Sequence, residues 1–325
     1  NGYNMRAGVT THWSLINAYN YWRYVQGRLS YDNSNSELLA YSEMTGGLFL
    51  PDPNNANWNP VFHSLQFGAG STSAATDDWN CIDIVGHEMT HGVVQFAAGL
   101  DYSYESGALN ESFADIFGTM IDNYATGTLD WFMGEDRGAI RNLSNPNAFN
   151  HPDTYTGTYW ITSSWDDGGV HENSGVQNYW FYLLTSGGSG TNDFGKAYAV
   201  SGIGQSAASA IAYRNLDLYL VSSSVYADAR EGAIRAAEDL YGSCSNQVIQ
   251  TAKAWYAVGV GYDQYVNGGS LCGSYNAFIF NYTFKNPDAI DVGRYCTVNF
   301  SSTGTASNTI QSGTSITFYP GATLS

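Results

Sequence analysis

The stretch CIDIVGHEMTHGVV, residues 81–94, places His87 and His91 four residues apart, with Glu88 directly after the first. Two imidazoles at that spacing share one face of an α-helix and can meet the same ion. Glu88 sits at the margin of that face. A carboxylate there can approach a metal-bound water without ligating the metal. A catalytic zinc site takes three protein ligands and keeps one position for water, whereas four protein ligands make a closed structural site. Glu111, in NESFAD, lies twenty residues past His91, far enough for a turn and a returning helix to supply the third ligand. Asp115 shares the face of Glu111 one turn on and can accept a hydrogen bond from the second nitrogen of a ligand histidine. No cysteine falls at a fourth-ligand position. H-E-x-x-H alone recurs by chance on surface helices; the added N-E-x-x-x-D tips the balance toward metal-assisted hydrolysis.

These groups need rigid elements behind them. Ile82, Ile84, Val85, Met89 and Val93 give the histidine helix the apolar surface that buries it. ESGALNESFADIFGTMIDNYA reads as the partner helix. Upstream, residues 10–27 read as a helix started by threonine and ended by Gly27. Residues 28–80, rich in Asn, Asp, Gly and Pro, read as strands and loops, with GGLFL and VFHSLQFG as the apolar runs. A loop-rich segment, 126–171, precedes further helices at 174–185, 204–221, 225–241 and 245–257, with Gly242 as a stop and Ser245 as a start. Beyond residue 262 short aromatic and β-branched runs (AFIFNYTF, CTVNFSS, SITFYPGA) signal β structure.

With 12 Lys plus Arg and a net charge of -17, the chain lacks the basic patches that nucleic-acid binding requires. The acidity fits solubility or carboxylates neutralised by cations. One such group is Asp83, Asp122, Asp130 and Glu135, hard oxygen ligands suited to calcium. No apolar run reaches the length of a membrane span. Four cysteines in a lysine-poor chain rich in Asn, Ser, Thr and Tyr suggest export and two disulfides, expected as Cys272–Cys296 and Cys81–Cys244. Both ends read as those of a processed or partial chain. His12, His63 and His151 lie outside the motif and read as structural or exposed.

GHEMTHGVVQFAAGLDYSYESGALNESFADIFGTMID resembles the core signature of the thermolysin family of zinc endopeptidases, and WDDGGVHENSGVQNYWFYLL resembles that family's second catalytic segment. The likeness runs from about residue 10 to residue 262. It implies an α+β, two-lobed metalloprotease: a β-rich N-terminal lobe, apparently truncated, ending in the central zinc helix (1–95), a mainly helical C-terminal lobe (96–262), then a small all-β module (263–325). That module resembles accessory or sorting modules of exported Bacteroidetes-type proteases. By resemblance His87, His91 and Glu111 hold catalytic zinc, and Glu88 is the general base. Asp115 and Asn110 orient the ligand histidines. Tyr102 and His171 bind the oxyanion, with Asp166 as carboxylate partner of His171. Asn55 and the Ala56 carbonyl would bind substrate backbone, and Arg141 a substrate carbonyl. Ile84, Met133 and Ile140 would line the pocket that receives the residue after the scissile bond. Asp83, Asp122, Asp130 and Glu135 match the family's principal calcium site. The expected protein is a secreted endopeptidase made with a propeptide and acting on proteins or peptides before bulky apolar residues. Two other readings are an inactive protease-like scaffold and a carrier for a glycan- or surface-binding C-terminal module.

Overall fold

Two helices cross at the centre of a computed structural model that describes residues 2–45, 52–70, 78–243 and 245–261, with short strand segments beyond 261. The chain opens with α1 (Gly2–Tyr24), followed by strands β1 (Leu39–Met44), β2 (Ala56–Asn59) and β3 (Ser64–Gly68). They form a sheet of order β1-β3-β2, with β1 parallel and β2 antiparallel to β3. Helix α2 (Ile82–Phe96) and helix α3 (Tyr104–Thr126) come next. In α2 all residues from Ile82 to Thr90 are buried, the polar Asp83, His87, Glu88 and Thr90 included. A helix buried all round belongs inside a core, and buried polar side chains there must find partners.

Glycine lets the two helices approach. A Cβ on Gly118 would lie 2.6 Å from the Asp83 carbonyl oxygen and 3.3 Å from the His87 nitrogen. One on Gly86 would lie 3.2 Å from the Gly118 Cα. No larger residue fits at Gly118 without shifting backbone, so the crossing is backbone against backbone. Around it pack Trp22, Phe117 and Tyr213, with Trp22 and Phe117 ring centroids 4.7 Å apart.

After α3 a short hairpin, β4 (Phe132–Met133) with β5 (Arg141–Asn142), encloses the turn Glu135–Arg137. Helix α4 (Asp166–Asn173) begins with Asp166, Asp167, Gly168 and Gly169 all at positive φ before turning helical. Helix α5 (Gly175–Ser186), hairpin β6 (Gly188–Thr191) with β7 (Ala197–Val200), and helices α6 (Gln205–Leu218), α7 (Tyr226–Tyr241) and α8 (Asn246–Ala257) complete this part. Stacked Trp180 and Trp255, centroids 4.7 Å apart, join α5 to α8. The Ser245 hydroxyl caps α8 by accepting from the Val248 N–H at 3.3 Å. Among the described residues no helix is long and apolar enough to cross a membrane.

Three elements differ from the sequence reading. Helix α1 starts at Gly2, not at the threonines, because Met5, Arg6 and Ala7 continue its turns and the Ala7 carbonyl is held by Asn80 Nδ2 at 3.1 Å. The β6–β7 hairpin lies between the helices expected at 174–185 and 204–221, in a mainly helical region where no strand is expected. Cys81 is a free, buried cysteine, which corrects the expected Cys81–Cys244 bridge; its place at the start of α2 sets it in the core beside Asp83. Cys244, Cys272, Cys296 and the GGLFL run lie outside the described residues. Beyond 261, Tyr282–Asn286 pairs in parallel with Asn308–Ser312, and Ala289–Val292 with Ser315–Phe318.

Candidate active site

His87 and His91 leave α2 one turn apart, and Glu111 reaches them from α3. Donor atoms of all three lie within 4.8 Å of one another. His87 Nε2 and His91 Nε2 are 3.0 Å apart, and each is 3.4 Å from a Glu111 oxygen. A tetrahedral zinc with Zn–N bonds of about 2.0–2.1 Å would hold two imidazole nitrogens about 3.3 Å apart, so the spacing fits. The outer nitrogens are occupied: His87 Nδ1 meets Asp115 Oδ1 at 2.9 Å, and His91 Nδ1 meets Asn110 Oδ1 at 2.8 Å. These bonds fix the tautomers that aim Nε2 lone pairs inward. Glu111 Oε2 is buried and makes no hydrogen bond among the described residues. A buried carboxylate oxygen left without a donor is what a cation would satisfy.

The electrostatics point the same way. Burial works against a charged His87, but Asp115 and Glu111 outweigh it and push its pKa up to about 10. Burial raises Glu111, yet the surrounding His171, His91 and His87 hold it well below the usual carboxylate range. This is a pocket built to keep positive charge. Asp115 is the buried anchor. Arg141 donates to it bidentately at 2.8 and 2.7 Å, and Asn178 Nδ2 at 2.8 Å. Against the opposing effect of burial, Arg141 and His87 hold Asp115 down at about 2.

On the open side, the Tyr102 hydroxyl donates a short hydrogen bond to Glu111 Oε1 and lies 3.2 Å from His171 Nε2. His171 comes from α4. Its Nδ1 meets Asp166 Oδ1 at 2.8 Å, and its backbone N–H donates to Asp166 Oδ2 at 2.9 Å. The charge of Glu111 raises the pKa of His171; burial opposes this and the bond to Asp166 adds to it. The left-handed start of α4 curls Asp166 back onto this ring. A cleft of about 740 Å³ covers the group and is lined by Glu88, Asn55, Ala56, Ile84, Ile140 and Arg141, among others.

Residues 1–95 match the thermolysin metallopeptidase catalytic domain, and residues 98–260 the alpha-helical domain of the same peptidases. The chain belongs to the thermolysin metallopeptidase family. It is 40% identical over 261 residues to bacillolysin of Bacillus caldolyticus and to thermolysin of Alicyclobacillus acidocaldarius subsp. acidocaldarius, covering 78% of this chain and 45% of each relative. It therefore spans about half the length of these relatives. The precursor of protealysin, a metalloproteinase from Serratia proteamaculans, superposes with a TM-score of 0.63 at 26% identity, over 78% of this chain and 79% of that one.

In this thermolysin-family chain the fold brings the three expected zinc ligands, Glu88, Tyr102, His171, Asn110, Asn55, Ala56, Ile84, Ile140 and Arg141 to one cleft, with Asp115 bonded to His87 and Asp166 to His171. Met133 is the exception among the apolar three: it is fully buried, with Sδ 3.5 Å from the Thr119 hydroxyl. Arg141 lines the cleft but is already committed to Asp115. The acidic group lies at the far side of the α2–α3 crossing, where Asp122, Asp130 and Glu135 bring carboxylate oxygens within 4.8 Å of one another. Asp83 lies deeper and accepts from the N–H groups of Ile84 (2.8 Å) and Gly134. Burial and then the charge of Asp83 push Asp122 up to about 7 and Glu135 up to about 8. Sequence reading missed Asn178, Trp58, Trp79 and Gln95. The last three line the cleft, and no local spacing distinguishes them from ordinary core or surface residues.

Proposed function

We propose that this chain is the catalytic part of a secreted zinc endopeptidase that cleaves proteins and peptides on the amino side of bulky apolar residues. The carrying observation is the convergence of His87, His91 and Glu111 at the base of a cleft that also holds Glu88, Tyr102 and His171. Bound there, zinc would supply Lewis acidity, polarising a peptide carbonyl and making water more acidic. Glu88 takes the proton of the attacking water and delivers it to the leaving amine. As charge grows on the carbonyl oxygen, the Tyr102 hydroxyl and the His171 ring donate hydrogen bonds to it. Asp166 keeps that ring oriented with Nε2 toward the cleft. Asn55 and the Ala56 carbonyl hold substrate backbone at the edge of β2, and Arg141, anchored by Asp115, steadies the carbonyl side.

Apolar specificity is supported by Ile84 and Ile140 at the cleft wall, where burying a leucine-sized side chain contributes about 1.5–3 kcal/mol. We assign calcium to Asp122, Asp130 and Glu135 with Asp83 as the fourth carboxylate, a structural ion that relieves their repulsion. Production with a propeptide and export complete this reading, with lobes at 1–95 and 96–262 and an accessory module beyond. Metal analysis paired with a casein-cleavage assay tests the core of it. One zinc per chain and activity abolished by chelator, restored by zinc, are expected. Cleavage that persists after zinc is stripped would overturn the assignment.

A further inference from the structure

We propose that Trp79, braced by Arg137, is a specificity-determining wall of the pocket for the residue after the scissile bond, and that it restricts this pocket to leucine-sized aliphatic side chains. The proposal rests on the hydrolytic reading above. Trp79 lines the same cleft as Ile84 and Ile140. The Arg137 guanidinium carbon sits 3.6 Å from the centroid of its ring, a close cation–π stack. Arg137 follows Gly134, where the wall converges. Gly134 has a φ of 73°, and a Cβ built on it would lie 3.4 Å from Ile84 Cδ1, 3.6 Å from Ile140 Cγ1 and 3.7 Å from Arg137 Cγ. Gly134 thus brings the stem of Arg137 and both isoleucines to one point of the wall, while the head of Arg137 reaches the indole.

Such a pocket has little give. Ile84 and Ile140 are β-branched and stiff, and Ile84 is itself buried. The backbone of Trp79 is tied to the sheet by its main-chain N–H, which donates to the Gly68 carbonyl at 3.2 Å. Its face is occupied by Arg137. A leucine side chain meets methyl groups and ring without moving either. A phenylalanine ring would have to displace the indole or break the stack, and overpacking a closed apolar site is unfavourable. The indole Nε1 is buried with no hydrogen-bond partner among the described residues, so the ring acts by shape, and phenylalanine could replace it without losing a bond.

The test uses the zinc-loaded full chain and two peptides that differ only by leucine or phenylalanine after the scissile bond. Wild type should favour leucine in kcat/KM. Trp79→Ala should raise the phenylalanine-to-leucine ratio by about tenfold or more, the scale on which small apolar differences are discriminated. Trp79→Phe should keep the wild-type ratio within about threefold, and Arg137→Gln should move it in the alanine direction by less. A folded Trp79→Ala variant with full zinc content and an unchanged ratio overturns the proposal, as does a wild type that prefers phenylalanine. Should Trp79→Ala not fold, an unchanged ratio in Arg137→Gln overturns it alone. If the wild type cleaves neither peptide in a zinc-dependent way, the hydrolytic reading fails instead.

Discussion

The two charged clusters on either side of the α2–α3 crossing are built on opposite principles. In the histidine cluster both imidazoles are held from behind: His87 by Asp115, which Arg141 and Asn178 hold in turn, and His91 by Asn110. Attraction holds it together. The acidic cluster has three carboxylates converging, with Asp83 close behind, and burial followed by their mutual repulsion raises Asp122 and Glu135 well above ordinary carboxylates. Preorganised ligands set the chemistry of an ion, whereas repelling ligands make the fold depend on one.

The largest expected effect separates chemistry from ion holding. Glu88 shares the cleft but not the ligand group, so Glu88→Gln should cut kcat by about 10²–10⁴-fold with zinc content unchanged by metal analysis. Parallel loss of zinc would place Glu88 inside the donor set. Next, Asn110→Ala removes the partner of His91, together with a bond to the Leu100 carbonyl at 3.2 Å, and leaves that of His87 in place. Zinc affinity, read by competition with a chelator, should fall about 10–100-fold, while turnover at saturating zinc falls much less. Equal loss in both would mean that Asn110 serves the reaction itself.

The acidic cluster makes a prediction in pH. Folded-state values of about 7 for Asp122 and about 8 for Glu135 exceed the unfolded values of about 3.9 and 4.3. The folded state therefore binds protons more tightly. Without calcium, the stability this contributes is full below about pH 4 and is lost as pH rises through 7 and 8. Calcium bound there, as proposed, would replace those protons. At a hundredfold excess over Kd it should add about 2.7 kcal/mol, or about 5–10 °C in Tm for a unit of this size, more at pH 8 than at pH 6. Thermal unfolding that ignores calcium at pH 8, with zinc retained, would dissolve the contrast between the clusters. The smallest effect belongs to Cys81. Non-reducing mass mapping after denaturation should find its thiol alkylated, and a Cys81–Cys244 crosslink would refute the free cysteine.

Legibility in the sequence followed the range of the interaction. Helical spacing alone put His87 beside His91, and Glu111 beside Asp115, because both pairs lie within one turn. Ser245 and Gly242 marked helix ends through local chemistry. The β6–β7 hairpin did not show, because GSGT is fully exposed and has no apolar alternation to read. Met133 is expected at the cleft by resemblance alone and is fully buried; two-residue β4 carries too little pattern to fix its side. Asn178 and Trp79 matter through partners 63 and 58 residues away, and no local period encodes such a contact.

The bare glycine contact between α2 and α3 has a thermodynamic corollary. The histidine cluster takes its ligands from both helices, the acidic cluster takes Asp122 from α3 with Asp83 of α2 behind it, and Gly86 and Gly118 leave nothing compressible between those helices. An ion bound at either site therefore clamps the crossing that positions the other. By mass action each ion adds to the resistance of the crossing to opening, so occupancy of one site should slow escape from the second. The missing side chains make two distant ions share one opening event.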